Sequence, residues 1–206
     1  SPTPTPSPTL TPSPAPSLIP SPNPIPTPEP GNVVINEIAW MGTAVPGIAG
    51  SNDEWIELYN TGSQTLDLTG WILKAADRTP EIKLSGSIGP YGFYLLERTD
   101  DYVVSDIKAD HIYTGALENG GEILHLYDGQ NNLKDIVGHN DDSGQVVMWY
   151  FGHIASKSTM ERINPANPGN TASNWQTNNG ITKNGFDAGN NFINGTPGRK
   201  NSGQID

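Results

Sequence analysis

Val33-Val34-Ile35-Asn36-Glu37-Ile38-Ala39-Trp40 and, after a break, Glu54-Trp55-Ile56-Glu57-Leu58-Tyr59 are the two runs that decide the fold. In the second, Ile56 and Leu58 fall on one side of an extended chain, and Trp55, Glu57 and Tyr59 fall on the other. That period of two belongs to strands, not helices. Outward from this pair lie further short runs rich in β-branched, aliphatic and aromatic residues, at 66–68, 71–74, 82–84, 91–96, 122–127, 133–137, 145–149 and 159–163. Turn signals separate them at Thr61-Gly62-Ser63, Gly89-Pro90, Asn119-Gly120-Gly121 and Asp128-Gly129. Many short strands broken by such turns predict an all-β sandwich or barrel. The last stretch, from Asn164 onward, is rich in Asn, Gly and Thr and is expected to wrap over the strands as coil, pinned by Trp175, Phe186 and Phe192.

The first thirty residues obey different physics. Of the 19 prolines in the chain, 13 stand here, at nearly every second position. Alternating proline blocks helix and removes the donors a sheet ladder needs. The accessible form is polyproline II, at ~3.1 Å per residue, so the segment would reach roughly 90 Å. Residues 1–30 are therefore expected to be a Pro/Thr/Ser-rich stalk or linker, and residues 31–206 a single domain. Interleaved Ser and Thr suit O-glycosylation. The chain starts at Ser1 with no apolar leader ahead of it, which is expected of a processed, exported product. No run approaches the ~18 apolar residues of a membrane span.

The formal net charge is -11 and there is no cysteine. Such acidity disfavours nucleic acid as a partner, and the absence of thiols excludes disulfides and thiolate metal sites within the chain. Phosphate-cradling loops and serine-nucleophile elbows are missing from the sequence.

Taken in order, Val34-Ile35-Asn36-Glu37-Ile38, Asp53-Glu54-Trp55-Ile56-Glu57-Leu58-Tyr59-Asn60 and Asp67-Leu68-Thr69-Gly70-Trp71 are followed by Thr159-Met160-Glu161-Arg162-Ile163. Gly195-Thr196-Pro197-Gly198 with Asn201-Ser202 closes the series. This succession resembles the bacterial branch of the lamin-tail domain (LTD) family over roughly residues 32–202. The resemblance implies an immunoglobulin-like β-sandwich and a non-catalytic module of secreted or cell-surface bacterial proteins, with no cofactor. It implies binding of an unknown protein or glycan partner, the alternative being a carbohydrate-binding accessory domain of a secreted hydrolase. Residues 42–52 and the Asn/Gly-rich tail lie outside the compact pattern.

Individual residues carry further expectations. Glu37, Trp55, Glu57, Trp71 and Arg162 are expected to be structural. Trp71, just after a turn, would plug the space between two sheets, and one of Glu37, Glu54 and Glu57 would pair with Arg162. Thr196-Pro197-Gly198 would make a sharp bend. Asp128-Gly129-Gln130-Asn131-Asn132 reads first as a hairpin turn, and Asp128, Asn131 and Asp135 are its calcium candidates. His111, His125, His139 and His153 are too far apart for strand or helix metal pairs. The dense run Val146-Val147-Met148-Trp149-Tyr150-Phe151 is expected to be a strand buried on both sides or, failing that, a face for a partner. Trp40, Met41 and Trp149 are the candidate binding residues on that second reading.

Overall fold

A computed structural model describes residues 32–43 and 53–205. The proline-rich segment and most of residues 42–52 lie outside the described residues. The strands are β1 (Val33–Ala39), β2 (Trp55–Asn60), β3 (Leu66–Asp67), β4 (Ile72–Ala75), β5 (Glu81–Lys83), β6 (Ser87–Ile88), β7 (Phe93–Arg98), β8 (His111–Tyr113), β9 (Leu124–Tyr127), β10 (Leu133–Val137), β11 (Met160–Arg162) and β12 (Trp175–Thr177). They form a six-stranded sheet in the order β12-β11-β1-β2-β7-β8, a four-stranded sheet in the order β10-β9-β4-β5, and a small β3-β6 pair. Every pairing is antiparallel except β7 with β8. The architecture is an immunoglobulin-like β-sandwich.

β1 and β2 occupy the centre of the larger sheet, as their length and apolar content demand. Ile35 and Leu58 face each other across the ladder, as do Ile38 and Ile56, and all four point into the core. Leu73, Leu124, Leu126 and Val137 of the smaller sheet meet them. Fully burying an aliphatic side chain of this size stabilises the fold by roughly 1.5–3 kcal/mol, so these contacts supply much of the driving force.

Strict alternation along β1 would carry Glu37 into this core. It does not, because the register slips by one residue at Asn36: Ile35 pairs with Leu58, and Glu37 already pairs with Glu57. The extra residue is a β-bulge, and it reverses the side-chain parity of everything after it. Glu37 moves to the outer face and Ile38 returns to the inner one. A second bulge at Lys134 in β10 has a matching effect, since Leu133 pairs with Tyr127 and Asp135 with Leu126.

The two bulges meet. The Ile35 amide donates to Asp135 Oδ2 at 2.8 Å, and the Ile35 carbonyl accepts from Arg162 Nη1 at 2.8 Å. Arg162 closes the arrangement by gripping Asp135 through two bonds, 2.6 and 3.1 Å, while its guanidinium lies 5.6 Å from the Trp175 ring. A bidentate ion pair thus ties the smaller sheet to the larger one and serves the backbone groups at the bulge. Arg162 was expected to pair with Glu37, Glu54 or Glu57. Its partner is Asp135, because Arg162 points into the sandwich and the parity of β1 and β2 sends Glu37 and Glu57 outward.

Three further expectations change. Residues 145–149 make no strand: Val146 forms one isolated bridge with Asn140, and the segment is held by its rings instead of a ladder. Trp149 stacks on Trp40 at 6.3 Å and donates its indole N–H to the Glu118 carbonyl. Trp175 sits in a strand and in the main core, not in coil. Trp71 is half-buried and packs against the core edge without filling the space between the sheets.

Removing the Asp135 carboxylate strands a buried guanidinium, a loss of about 3–5 kcal/mol. Asp135→Ala should lower stability by that amount in urea unfolding. The double change Asp135→Leu with Arg162→Met, which removes both charges, should cost clearly less.

Candidate functional site

The outer face of the six-stranded sheet carries the family of acidic residues that the sequence singled out. Parity places Glu57, Glu37 and Glu161 side by side, Glu37 being opposite both Glu57 on β2 and Glu161 on β11. All three are fully buried. Their lid is the closing segment Gly195-Thr196-Pro197-Gly198 with Asn201 and Ser202.

Each contact in this lid follows from a donor meeting a carboxylate. Glu37 Oε1 accepts from the Thr159 hydroxyl at 2.5 Å and the Thr196 amide at 2.9 Å, and its Oε2 lies 2.9 Å from the Thr196 hydroxyl. Glu57 accepts from Asn36 Nδ2 and from the Gly198 amide. Glu161 accepts from Asn178 Nδ2, Gln176 Nε2 and both the amide and hydroxyl of Ser202. Asn36 and Asn201 exchange amide bonds with each other, and Asn201 Nδ2 also donates to the Asn36 and Arg162 carbonyls. The expected bend is a turn closed by the Arg199 amide on the Thr196 carbonyl at 3.0 Å, with Gly198 at a φ of 73°, where glycine is unstrained. Gly195 is required for a different reason: a Cβ there would lie 2.7 Å from Glu37 Oε1.

Burial, reinforced by the neighbouring Glu161 charge, pushes the Glu37 carboxyl up to about 8. Burial and the charge of Glu37 hold Glu57 well above the ordinary carboxyl value of 4.5. The hydrogen-bond inventory points the same way. Thr196 Oγ1 has one proton but faces Glu37 Oε2, Glu161 Oε1 at 3.1 Å and Asn201 Oδ1 at 3.3 Å. With a proton on Glu37, that carboxyl donates to the threonine oxygen and the threonine hydroxyl serves Glu161. Glu37 and Glu57 are thus biased toward the neutral acid within a hydrogen-bonded clamp. The clamp offers no face to a substrate, because the lid that satisfies it also covers it.

Glu54 and Glu97 are similarly committed, whereas the buried Glu122 carboxyl finds no hydrogen-bond partner among the described residues. Glu54 binds Arg98 Nη1 at 3.0 Å and the Leu117 amide at 2.7 Å, and burial raises it to about 7. Glu97 accepts from the Val103 and Val104 amides and is raised by burial to about 8. These two amides belong to a second, smaller core in which Ala39, Trp55, Leu95, Val103, Val104 and Ile193 cover the outer face. Trp55, expected to be structural, is buried there.

Among the described residues, no three His, Cys, Asp or Glu side chains are grouped to hold a metal ion. Of the calcium candidates, Asp128 caps its own turn, accepting from the Gln130 and Asn132 amides and from Asn132 Nδ2. Asn131 stands at a φ of 63° within that turn. Asp135 is turned away into the sandwich by the bulge and spent on Arg162, which corrects its placement in the candidate loop. His139 contacts the Tyr150 hydroxyl and His153 contacts Ser156.

Of the candidate binding residues, Trp40 and Met41 are buried, in line with the first of the two readings, and Trp149 is half-buried against Trp40. What the ring stack presents to solvent is its neighbours. Val146 is 44%, Met148 69%, Phe151 38% and Ile154 57% exposed. Periodicity missed this surface because the run looks like a core strand. Gly144 and Gly152 at its ends were the available signal for a loop.

An uncharged cleft of about 300 Å³ lies elsewhere, lined by Tyr59, Thr61, Tyr91, Asn164, Pro165, Ala166, Gln204 and Ile205. Nothing in the sequence reading pointed to it, since its walls come from four separate stretches of chain.

The Glu clamp makes stability depend on pH with a definite sign. The folded-state value of about 8 at Glu37 lies above the unfolded value of 4.5, and Glu97 outside the clamp is raised alike, so the native state keeps protons that the unfolded chain has released. The contribution is complete below about pH 4.5 and is lost as pH rises through about 8. The melting temperature should therefore fall from pH 5 to pH 9, and Glu37→Gln, a mimic of the neutral acid, should flatten that fall. A melting temperature that climbs over this range would contradict the neutral clamp.

The Lamin Tail Domain family model matches residues 26–141, more than half of the chain. β11, β12 and the closing lid lie beyond the matched stretch. No curated protein matches the chain. The chain belongs to the lamin tail domain family, a family of immunoglobulin-like interaction domains.

Proposed function

We propose that this lamin tail domain is a non-catalytic interaction module, held outside a bacterial cell by the stalk of residues 1–30, and that it contacts a protein partner through residues 146–154. The observation that carries the reading is the contrast between interior and loop. Carboxylates at Glu37, Glu57, Glu97 and Glu161 are consumed by internal donors. On the loop, four large apolar side chains stand in solvent within nine residues of sequence.

Exposed apolar side chains grouped in this way mark interaction surfaces. The loop is also built to hold them in place. Trp40 Nε1 donates to the Phe151 carbonyl at 3.0 Å, Thr177 Oγ1 accepts from the Gly152 amide at 3.0 Å, and the Trp40–Trp149 stack lies beneath. A pre-formed surface spends little ordering entropy on binding. No helix among the described residues is long and apolar enough to cross a membrane.

The reading is tested in the producing bacterium with a photo-crosslinking amino acid at position 148. A single envelope or host-surface protein should be captured. Truncation of an interface anchor costs about 2 kcal/mol, roughly thirtyfold in affinity, so Met148→Ser with Phe151→Ser should abolish capture at an unchanged level of display. A domain found only inside the cell, or crosslinks indifferent to the two changes, would remove the proposal.

A further inference from the structure

We infer that the cleft between Tyr59, Tyr91 and Gln204 is a binding site for a neutral carbohydrate chain. It goes beyond the loop reading, shares no residue with it, and would stand if residues 146–154 contacted nothing.

The strongest indication is Tyr91. It stands third in the turn Gly89-Pro90-Tyr91-Gly92, which is closed by the Gly92 amide on the Gly89 carbonyl at 3.1 Å. Its φ is 50°, in the left-handed region where that turn position ordinarily takes glycine or asparagine. A bulky aromatic there is strained, and the fold gains nothing from it in burial, since Tyr91 is 59% exposed. Strain retained at an exposed ring beside a cleft points to a use outside folding. The main chain at Tyr91 is nonetheless held in position, because the Tyr91 amide donates to the Gly62 carbonyl at 3.0 Å.

The rest of the cleft matches one ligand chemistry. Tyr59, tilted against Phe93 with ring centroids 5.0 Å apart, provides a second aromatic wall, and Thr61 and Pro165 complete the side. Asn164 Oδ1 accepts from the Ala166 amide at 2.9 Å and Gln204 Oε1 accepts from the Asn201 amide at 3.2 Å. Both carboxamides are thereby oriented, with no partner for Nδ2 or Nε2 among the described residues. Two fixed amide donors beside tyrosine faces suit hydroxyl oxygens on a ring that also has an apolar C–H face.

Charge excludes the competitors. None of the eight lining residues is ionisable at neutral pH, on a chain of net charge -11. Among the described lining residues an anionic ligand would find no cation, and a cationic one no carboxylate. The volume sits at the lower end of small-molecule sites, about 300–1,000 Å³, and the cleft opens to solvent, as a site for an extended chain must.

The test titrates the full chain with cellohexaose, chitohexaose and mannohexaose, followed by calorimetry and by the side-chain amide resonances of Asn164 and Gln204. At least one hexasaccharide should bind and shift both amide pairs. Tyr91→Gly, which relieves the turn, should leave the melting temperature equal or higher yet weaken binding tenfold or more. Gln204→Glu, which keeps the oxygen bound to Asn201 and removes the donor, should weaken it similarly. Failure of all three sugars, or binding unaltered by both changes, would overturn the assignment. So would a peptide of residues 20–30 that moves the same resonances when no sugar does. Crosslinking at position 148 is unaffected by either change, so the two readings fail separately.

Discussion

One inserted residue, Asn36, sets the geometry on which the domain depends. Without the bulge, β1 would continue its alternation and point Glu37 into a core of Leu and Ile side chains. With it, Glu37 lies outward beside Glu57 and Glu161, while the Ile35 backbone groups face the Asp135–Arg162 pair. Asn36 itself is fully buried and divides its amide between Glu57 and Asn201. The slip at Asn36 thus serves both the outer clamp and, together with the second bulge in β10, the inter-sheet ion pair, one on each side of the same strand.

The two polar assemblies solve burial in opposite ways. Asp135 and Arg162 meet with bidentate geometry, and the Ile35 backbone and the Asn167 carbonyl take further contacts, although Arg162 Nε finds no partner among the described residues. Charge burial costs several kcal/mol per ion, which a close and multiply bonded pair offsets. The glutamate row has no such partner cation in its contacts, only hydroxyls and amides. Burial therefore raises Glu37 and Glu57 toward the neutral acid. A protonated carboxyl both donates and accepts, and that suits it to bridging strands and a closing loop. The lid adds no large apolar area at this point. It is held by donors placed at fixed spacing along Gly195-Thr196-Pro197-Gly198, Asn201 and Ser202.

Much of this was legible in the sequence. Alternation in residues 54–59 gave both faces of β2 correctly, and Trp55, Glu57 and Tyr59 share the outer side as expected. The bend at Thr196-Pro197-Gly198 is where its residues place it. The pairing of Arg162 was not legible, because a bulge changes parity without any mark beyond the residue that occupies it. Nor was the parallel strand β8, whose three residues are assigned by their contact with β7 and not by any pattern of their own. The run at 146–151 misled because density of apolar residues reports burial on average, whereas here a stacked pair of indoles anchors the loop and leaves Met148 and Phe151 outside. The cleft beside Tyr91 joins residues more than a hundred positions apart, and only packing brings them together.

The covering of both faces of the larger sheet has a bearing on where recognition can occur. Its inner face is sealed by the smaller sheet and its outer face by the lid and the Val103–Ile193 contacts. Its edges, β12 and β8, are three residues each, too short to template an added strand effectively. Ligands cannot be taken through the flat faces of that sheet or by strand addition to it. The loops and the crevices between them are the places where the chain departs from what folding alone would choose. Apolar residues stand outside at 146–154, and a tyrosine occupies a glycine position at 91. An interior closed by its own packing and hydrogen bonds leaves such departures as the positions on which selection for binding can act without loss of the fold.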